Sequence, residues 1–330
     1  MSRHEWNNYL SQYAKPDHKK AVIQIADTLL PYILLLGLST YLVHIQAAWW
    51  IVAPLMILSA GFMVRLFILF HDCTHDSFTK SKKWNQILGT IFGIFAFTSF
   101  ASWKKEHGIH HGTVGNLEKR GTGDVWTLTV SEYQAAHWSK KAIYRIFRNP
   151  IFLFGVAPFF LFAIINRMPK FKGDRKTWIS FFLNNSGIVL VGLIFSIIFS
   201  FQAYLVTQLI VIAIASSMGV WLFYVQHQFE EVYWENDEKW NSIDAALKGS
   251  TFYKLPFIFE WISGSIGYHH IHHLNLRIPN YHLKACYLNN NELKKVKTVT
   301  LISSLPLAFL QFYDEKKKAL VSYRQINTPS

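Results

Sequence analysis

Residues 28–45 read TLLPYILLLGLSTYLVHI and, after the single residue Gln46, residues 47–70 read AAWWIVAPLMILSAGFMVRLFILF. The first stretch holds no Lys, Arg, Asp or Glu, and the second holds only Arg65. At 1.5 Å of rise per residue, each is long enough as a helix to cross a hydrocarbon layer about 30 Å thick. One intervening residue leaves room only for a tight turn, and Trp49 and Trp50 suit the headgroup layer at its tip. Residues 178–199 and 203–225 repeat the pattern around a short Ser200-Phe201-Gln202 turn. The two pairs predict four transmembrane helices in two hairpins.

Composition agrees. Of 330 residues 51% are hydrophobic and only 16% charged, against roughly 25% charged in soluble domains. Three further apolar stretches, residues 87–103, 151–165 and 301–312, are marginal or too short to span and predict helices lying in the interface. Six spans are the alternative count. Arg65, near the cytoplasmic end of its span, is expected to snorkel. Met1 to Lys20 is polar and carries His4, Glu5 and several lysines, unlike a signal peptide. Neither short turn holds a Lys or Arg, whereas Lys80, Lys104, Arg145, Lys170, Lys172 and the C-terminal lysines fall in the long connections. The positive-inside rule then places both termini and the polar bulk in the cytoplasm, at the plasma membrane if the source is bacterial. The net charge of +13 reads as lipid headgroup contact and topology; no basic, aromatic-studded module points to nucleic acid. Cys73 and Cys286, far apart, exclude a disulfide scaffold and a CxxC metal knuckle.

Fifteen histidines remain to be explained. The second span runs into His71-Asp72-Cys73-Thr74-His75, and His107-Gly108-Ile109-His110-His111 follows the first interfacial stretch. His269-His270-Ile271-His272-His273 lies near the C-terminus, and the fourth span exits into Gln226-His227-Gln228. Spacings of three and four residues put imidazoles on one helix face, and the topology puts all four segments on one side of the membrane. His71, His75, His107, His110, His111, His227, His269, His272 and His273 are therefore the expected metal ligands. They overfill one first-row ion, whose usual ceiling is about six ligands, and suit two. Imidazole alone leaves iron, copper, nickel and zinc open; a redox-active pair, iron above all, fits better than a zinc hydrolase, whose motif puts Glu where Asp72 stands. His270 is expected beside the ligands or exposed. His4, His18, His44, His137 and His282 are read as surface or packing residues, and Cys73 as packing. Asp72, Asp76, Glu106 and Glu230 are candidates to accept the outer N–H of ligating rings, or else acids that soften a basic surface. The predicted fold is an all-α integral membrane protein, one domain over residues 1–330, with four spans, interfacial helices and a cytoplasmic histidine-rich cap for two metals.

HDCTH, HGIHH and HHIHH, with the trailing Leu274 to Tyr281 and the Gln226-His227-Gln228-Phe229-Glu230 segment, resemble the three histidine boxes of the membrane fatty acid desaturases. The HxxxH first box resembles the acyl-lipid, omega-6/delta-12-like branch. The acyl-CoA branch has one more residue in that box and a water-mediated Asn ligand where this chain has Phe223. The resemblance implies two Fe ions held by the nine histidines, O2 as co-substrate, and two electrons from a separate carrier such as ferredoxin, since no haem-binding domain is visible at either end. The implied product is a cis double bond in the acyl chain of a membrane lipid. An unactivated C–H bond offers no acidic proton or electrophile to ordinary side chains, so the chemistry needs such a cofactor. A related di-iron hydroxylase or ketolase acting on another lipid is the alternative; a metal or lipid transporter would need polar residues in the spans beyond Arg65, Asn184 and Asn185. Arg277 and Asn280 are expected either to brace the third box or to face lipid phosphate.

Overall fold

The computed structural model describes residues 1–171 and 173–327, so Lys172 lies outside the described residues. In chain order the helices are α1 (Arg3–Ser11), α2 (His18–His44), α3 (Trp49–Thr74), α4 (Lys82–Phe95), α5 (Phe100–Thr113), α6 (Val130–Ala135), α7 (Trp138–Phe147), α8 (Ala157–Ala163), α9 (Arg175–Ile198), α10 (Phe201–His227), α11 (Ser242–Lys248), α12 (Phe257–Ile262), α13 (His269–Leu274), α14 (Asn280–Leu288), α15 (Leu301–Ser304) and α16 (Tyr323–Asn327). Four of these, α2, α3, α9 and α10, are long and apolar enough to cross a membrane. Six result if the bent pairs α4 with α5 and α7 with residues 152–167 each count as one. Caps set several ends: Asp17 accepts the Lys20 amide at the start of α2, and Ser200 accepts the Ala203 amide at the start of α10. Asp17 lets α2 begin ten residues before the expected span.

The four long helices are not equivalent. The apolar window of α3 is 56% buried, against 33% for α10, 22% for α2 and 6% for α9. Thus α3 is the central post, and α9 gives nearly all of that window to the surroundings. Because lipid tails are as apolar as leucine, helices within a membrane associate through close packing rather than water exclusion. Small residues serve that here. A Cβ on Gly89 of α4 would lie 2.2 Å from the Phe100 ring and 3.0 Å from Cys73 Cβ, so the glycine lets α4 close onto the end of α3.

Several expectations are corrected. Residues 87–103 are not one interfacial helix: α4 and α5 meet at 101°, with the chain turning at Ala96 to Ser99. The 151–165 stretch begins as a π-helical turn over Phe152–Val156, continues as α8 and ends in a 3-10 turn over Ile165–Arg167. The 301–312 stretch breaks into α15 and a 3-10 turn over Leu305–Phe309 with Pro306 in its first residues, where the missing N–H prevents continuation of α15's hydrogen bonding. The fold is mostly helical but not all-α. Short strands β1 (Leu128–Thr129), β2 (Phe252–Lys254), β3 (Thr298–Thr300), β4 (Phe312–Asp314) and β5 (Ala319–Val321) form two small sheets. β1 pairs parallel with β4, β4 antiparallel with β5, and β2 parallel with β3.

Arg65 does not snorkel. It is buried, its Nε donates to Thr28 Oγ1 at 2.9 Å, its Nη1 donates to the Trp261 carbonyl, and its Nη2 lies 3.4 Å from Asp27 Oδ1. The Trp261 ring stacks 3.9 Å from the guanidinium. A local carboxylate and an aromatic face replace the water it was expected to reach.

Candidate metal centre

The histidines are delivered by four helix segments. α3 ends with His71 in its last turn and His75 as its C-cap residue; α5 carries His107, His110 and His111; α10 ends at His227; α13 carries His269, His272 and His273. The bend between α4 and α5 turns the second of these segments back over the end of α3. The rings fall into two neighbouring groups. His71, His75, His107, His111 and His272 each present a nitrogen within 4.8 Å of the others, and His110, His227 and His273 do the same. His269 joins the second group, its Nε2 lying 2.9 Å from His227 Nε2 and 3.1 Å from His273 Nε2. The groups adjoin: the His111 and His273 ring centroids are 4.2 Å apart.

Two observations test whether these residues fit metal ions. Within the first group His107 Nε2 and His111 Nε2 are 2.9 Å apart, and His111 Nε2 and His272 Nε2 are 3.1 Å apart. Nitrogens bonded at about 2.1 Å and at right angles to one metal are about 3.0 Å from each other, so the rings stand as neighbouring ligands do. Second, His71 Nε2, His75 Nε2 and His110 Nε2 are buried with no hydrogen-bond partner among the described residues. A buried unpaired polar atom costs about 1–3 kcal/mol, and three in one cluster need a satisfier that a metal ion can supply. Burial first, then the charge of neighbouring rings, holds His75, His107, His111, His269, His272 and His273 well below the usual imidazole range. These rings are neutral at pH 7 and keep a lone pair for a metal.

The outer partners differ from the expected acids. Asp72 fits the expectation: its Oδ1 is 3.2 Å from His71 Nδ1, and its Oδ2 accepts the Asn280 amide and side chain at 2.7 and 2.9 Å. Asn280 thereby braces the site, while Arg277 is exposed. Asp76 pairs instead with Lys104 at 2.9 Å, Glu106 pairs with Lys170, and Glu230 is exposed. The partner of His110 is Asp124, at 2.7 Å from Nδ1. Burial would raise the Asp124 carboxyl, but the hydrogen bond and charge of His110 and the Gly121 amide outweigh it and hold the group below its usual range. His227 Nδ1 lies 3.2 Å from the Gly249 carbonyl.

Sequence reasoning missed Asp124 because it sits on a loop fourteen residues from His110. The available signal was Gly121-Thr122-Gly123-Asp124. Gly123 has φ +76°, and a Cβ there would meet His110 Cβ at 2.9 Å, so glycine allows the loop to lie on α5. Trp103 was also missed; its ring stacks 4.1 Å from that of His107. Phe223 packs against the His110 and His227 rings, at 5.3 and 5.0 Å, and offers no ligand atom. Cys73 is buried packing, as expected. His270 is neither beside the ligands nor exposed. One step along α13 turns it away from the cluster to Phe252 and Tyr287, and burial pushes its imidazole down to about 3. His4 and His137 make local bonds to Asn8 and Ser139, His282 bonds the distant Tyr13 carbonyl, and His18 and His44 sit at the ends of α2.

A family model described as fatty acid desaturase matches residues 47–299, a stretch that contains every ring of both groups. The chain belongs to the fatty acid desaturase family. This desaturase is 42% identical over 317 residues to "Fatty acid desaturase" of Bacillus subtilis (strain 168), covering 96% of this chain and 90% of that one. It is 24% identical to "sn-1 oleoyl-lipid 12-desaturase" of Picosynechococcus sp., covering 73% and 69%. It is 27% identical to "sn-1 acyl-lipid omega-3 desaturase (ferredoxin)" of Nostoc sp. (strain 36), covering 76% and 70%. Family and apolar helices together make it a membrane protein and an oxygen-dependent oxidoreductase, of the branch that holds the 12-desaturases.

Proposed function

We propose that this desaturase inserts a cis double bond into the acyl chain of a membrane lipid with two irons, O2 and two electrons. The observation that carries the reading is the adjacency of two imidazole groups, five rings and three with His269 beside them, at ligand-to-ligand spacing. His71, His75, His107, His111 and His272 would hold one iron, and His110, His227, His269 and His273 the other. The balance is R–CH2–CH2–R′ + O2 + 2 electrons + 2 protons to R–CH=CH–R′ + 2 water. The irons supply the oxidising power to break unactivated C–H bonds. The chain's own residues hold, orient and shield. Asp72 and Asp124 fix the outer nitrogens of His71 and His110 and raise the donor strength of those rings. Trp103 and Phe223 wall the rings with apolar surface.

The proposed arrangement is one domain over residues 1–330, with α2–α3 and α9–α10 as two membrane hairpins and both termini and the histidines in the cytoplasm, at the plasma membrane in a bacterium. What supports it is the position of all four histidine segments at ends of long helices or in the long connections and the bases of those connections. A separate carrier such as ferredoxin is proposed as electron donor, supported by the ferredoxin in the name of the Nostoc relative. The test is expression in a host without polyunsaturated lipids, with gas chromatography and mass spectrometry of lipids and metal analysis of purified protein. New monoenoic or dienoic chains and about two irons per chain are expected; oxygenated lipids, or full activity with one iron, would sink the reading.

A further inference from the structure

A cavity of about 230 Å3 opens between the start of α2, the end of α3 and the segment from α12 to α14. Its floor is the Arg65–Asp27 pair. Arg65 is held by Thr28, the Trp261 carbonyl and the Trp261 ring, so it cannot swing out. Asp27 spends Oδ1 on Arg65 and the Thr28 hydroxyl, but its Oδ2 accepts no hydrogen bond among the described residues, and its side chain is 34% exposed. Lys20 also lines the cavity and makes no ion pair among the described residues; its ammonium only approaches the Tyr281 ring, at 5.9 Å. Lys20 and Asp27 are seven residues apart, two turns along one face of α2 and about 10 Å apart along its axis. Across from them Ser265, at φ +58° after Gly264 at φ +53°, lines the wall with a hydroxyl that has no partner among the described residues. Left-handed backbone at a non-glycine residue costs about 1–3 kcal/mol and persists where the surroundings fix it.

Among the described residues the free groups thus include one cation, one carboxylate oxygen and one hydroxyl, above a neutral pair. With Lys20 and Arg65 against Asp27 the net charge of the lining is +1. We propose that this cavity seats the phosphodiester of a phospholipid head group whose alcohol carries an N–H or O–H donor. Lys20 and Ser265 face the phosphate oxygens, and Asp27 Oδ2 accepts from the head-group amine or hydroxyl. Phosphocholine satisfies only the first half, because its quaternary nitrogen has no donor. The inference rests on the acyl-lipid reading and deepens it. The same cavity is lined by Asn280, which bonds Asp72, which bonds His71. A lipid held there by its head is two side chains from the first histidine group, and Arg65 is six residues, about 9 Å along α3, before His71.

The test uses purified, delipidated full-length protein and measures binding of phosphatidylethanolamine, phosphatidylglycerol and phosphatidylcholine with identical acyl chains by native mass spectrometry. Phosphatidylethanolamine and phosphatidylglycerol are expected to bind about tenfold more tightly than phosphatidylcholine, a difference of about 1.4 kcal/mol. Asp27→Asn should shrink that preference to about threefold or less. Lys20→Gln, a change at an exposed helix position, should weaken all three alike by about tenfold. Equal binding of the three lipids by the wild type, or unchanged binding by Lys20→Gln with an unaltered thermal midpoint, overturns the proposal. Deacylated glycerophosphoethanolamine serves as competitor: displacement at concentrations like those of the lipid would assign the cavity to a soluble phosphodiester and overturn the lipid. Product analysis on the same lipids separates the two readings. Head-group preference in binding without desaturated product removes the acyl-lipid reading and leaves the cavity; desaturated product without any preference does the reverse.

Discussion

The two histidine groups are neighbours built by different means. Four of the five rings in the first, His71, His75, His107 and His111, are i, i+4 pairs at the ends of α3 and α5, and the carboxylate behind His71 is the next residue in the chain. The second group takes one ring from each of three segments and adds His269, and its supports are a loop carboxylate, Asp124, and the Gly249 carbonyl after α11. Local helix geometry thus supplies most of the first group, whereas the second exists only when the connections between helices have settled. Stability of the cap should therefore matter more to the second group.

The largest effects should come from the rings themselves. His272→Ala and His227→Ala are each expected to leave about one iron per chain and to cut turnover by more than the roughly 100-fold typical of outer-partner changes. Metal analysis that finds both irons lost with either variant would break the division into two groups. A smaller effect is expected from the supports: Asp124→Asn should weaken one iron by about 10–100-fold and leave the other in place, as read by chelator competition. Two irons leaving together would show that the groups act as one.

Acid should act on both groups with one sign, since His269 and His273 of the second are also held well below the ordinary range. His75, His107, His111 and His272 of the first group have folded values well below the ordinary 6.5. The unfolded chain then binds more protons than the folded one as pH falls below 6.5, so metal-free protein loses stability on acidification and gains nothing above that pH. The slope is at most about 1.4 kcal/mol per pH unit for each ring. Thermal midpoints of the metal-free form from pH 7.5 to 5.5 check the sign; a flat profile contradicts it. The smallest effect is expected outside both groups, where His282→Ala should alter turnover by no more than about twofold, the ordinary range for such a site.

The same contrast explains what could be read beforehand. Long apolar runs declare α2, α3, α9 and α10 because a membrane demands uninterrupted helix, and histidine periodicity declares the ring faces. Asp124 was silent because its approach to His110 depends on a turn that Gly123 permits, not on any helical spacing. Strands of two or three residues, such as β1 and β4, carry too little alternation to be seen. Arg65 was misjudged because the first span was read from Thr28 onward, which left out Asp27, although the hairpin sets both 19 residues from Gln46, and because Trp261 comes from an element that sequence does not place beside it. His270 was misplaced because a helix turns about 100° per residue, enough to carry a ring out of the cluster and into the core.

The bend between α4 and α5 and the placement of α13 bring together residues that ribosomes make at very different times. Rings at 71, 75, 107 and 111 can meet as soon as the first third of the chain is folded, yet His272 and His273 emerge about 160 residues later. At about 5–20 residues per second that interval is of the order of 8–30 seconds. During it the nascent chain holds most of the first group and only His110 of the second until His227 is added. Synthesis thus completes four rings of the first group well before the second group has more than one.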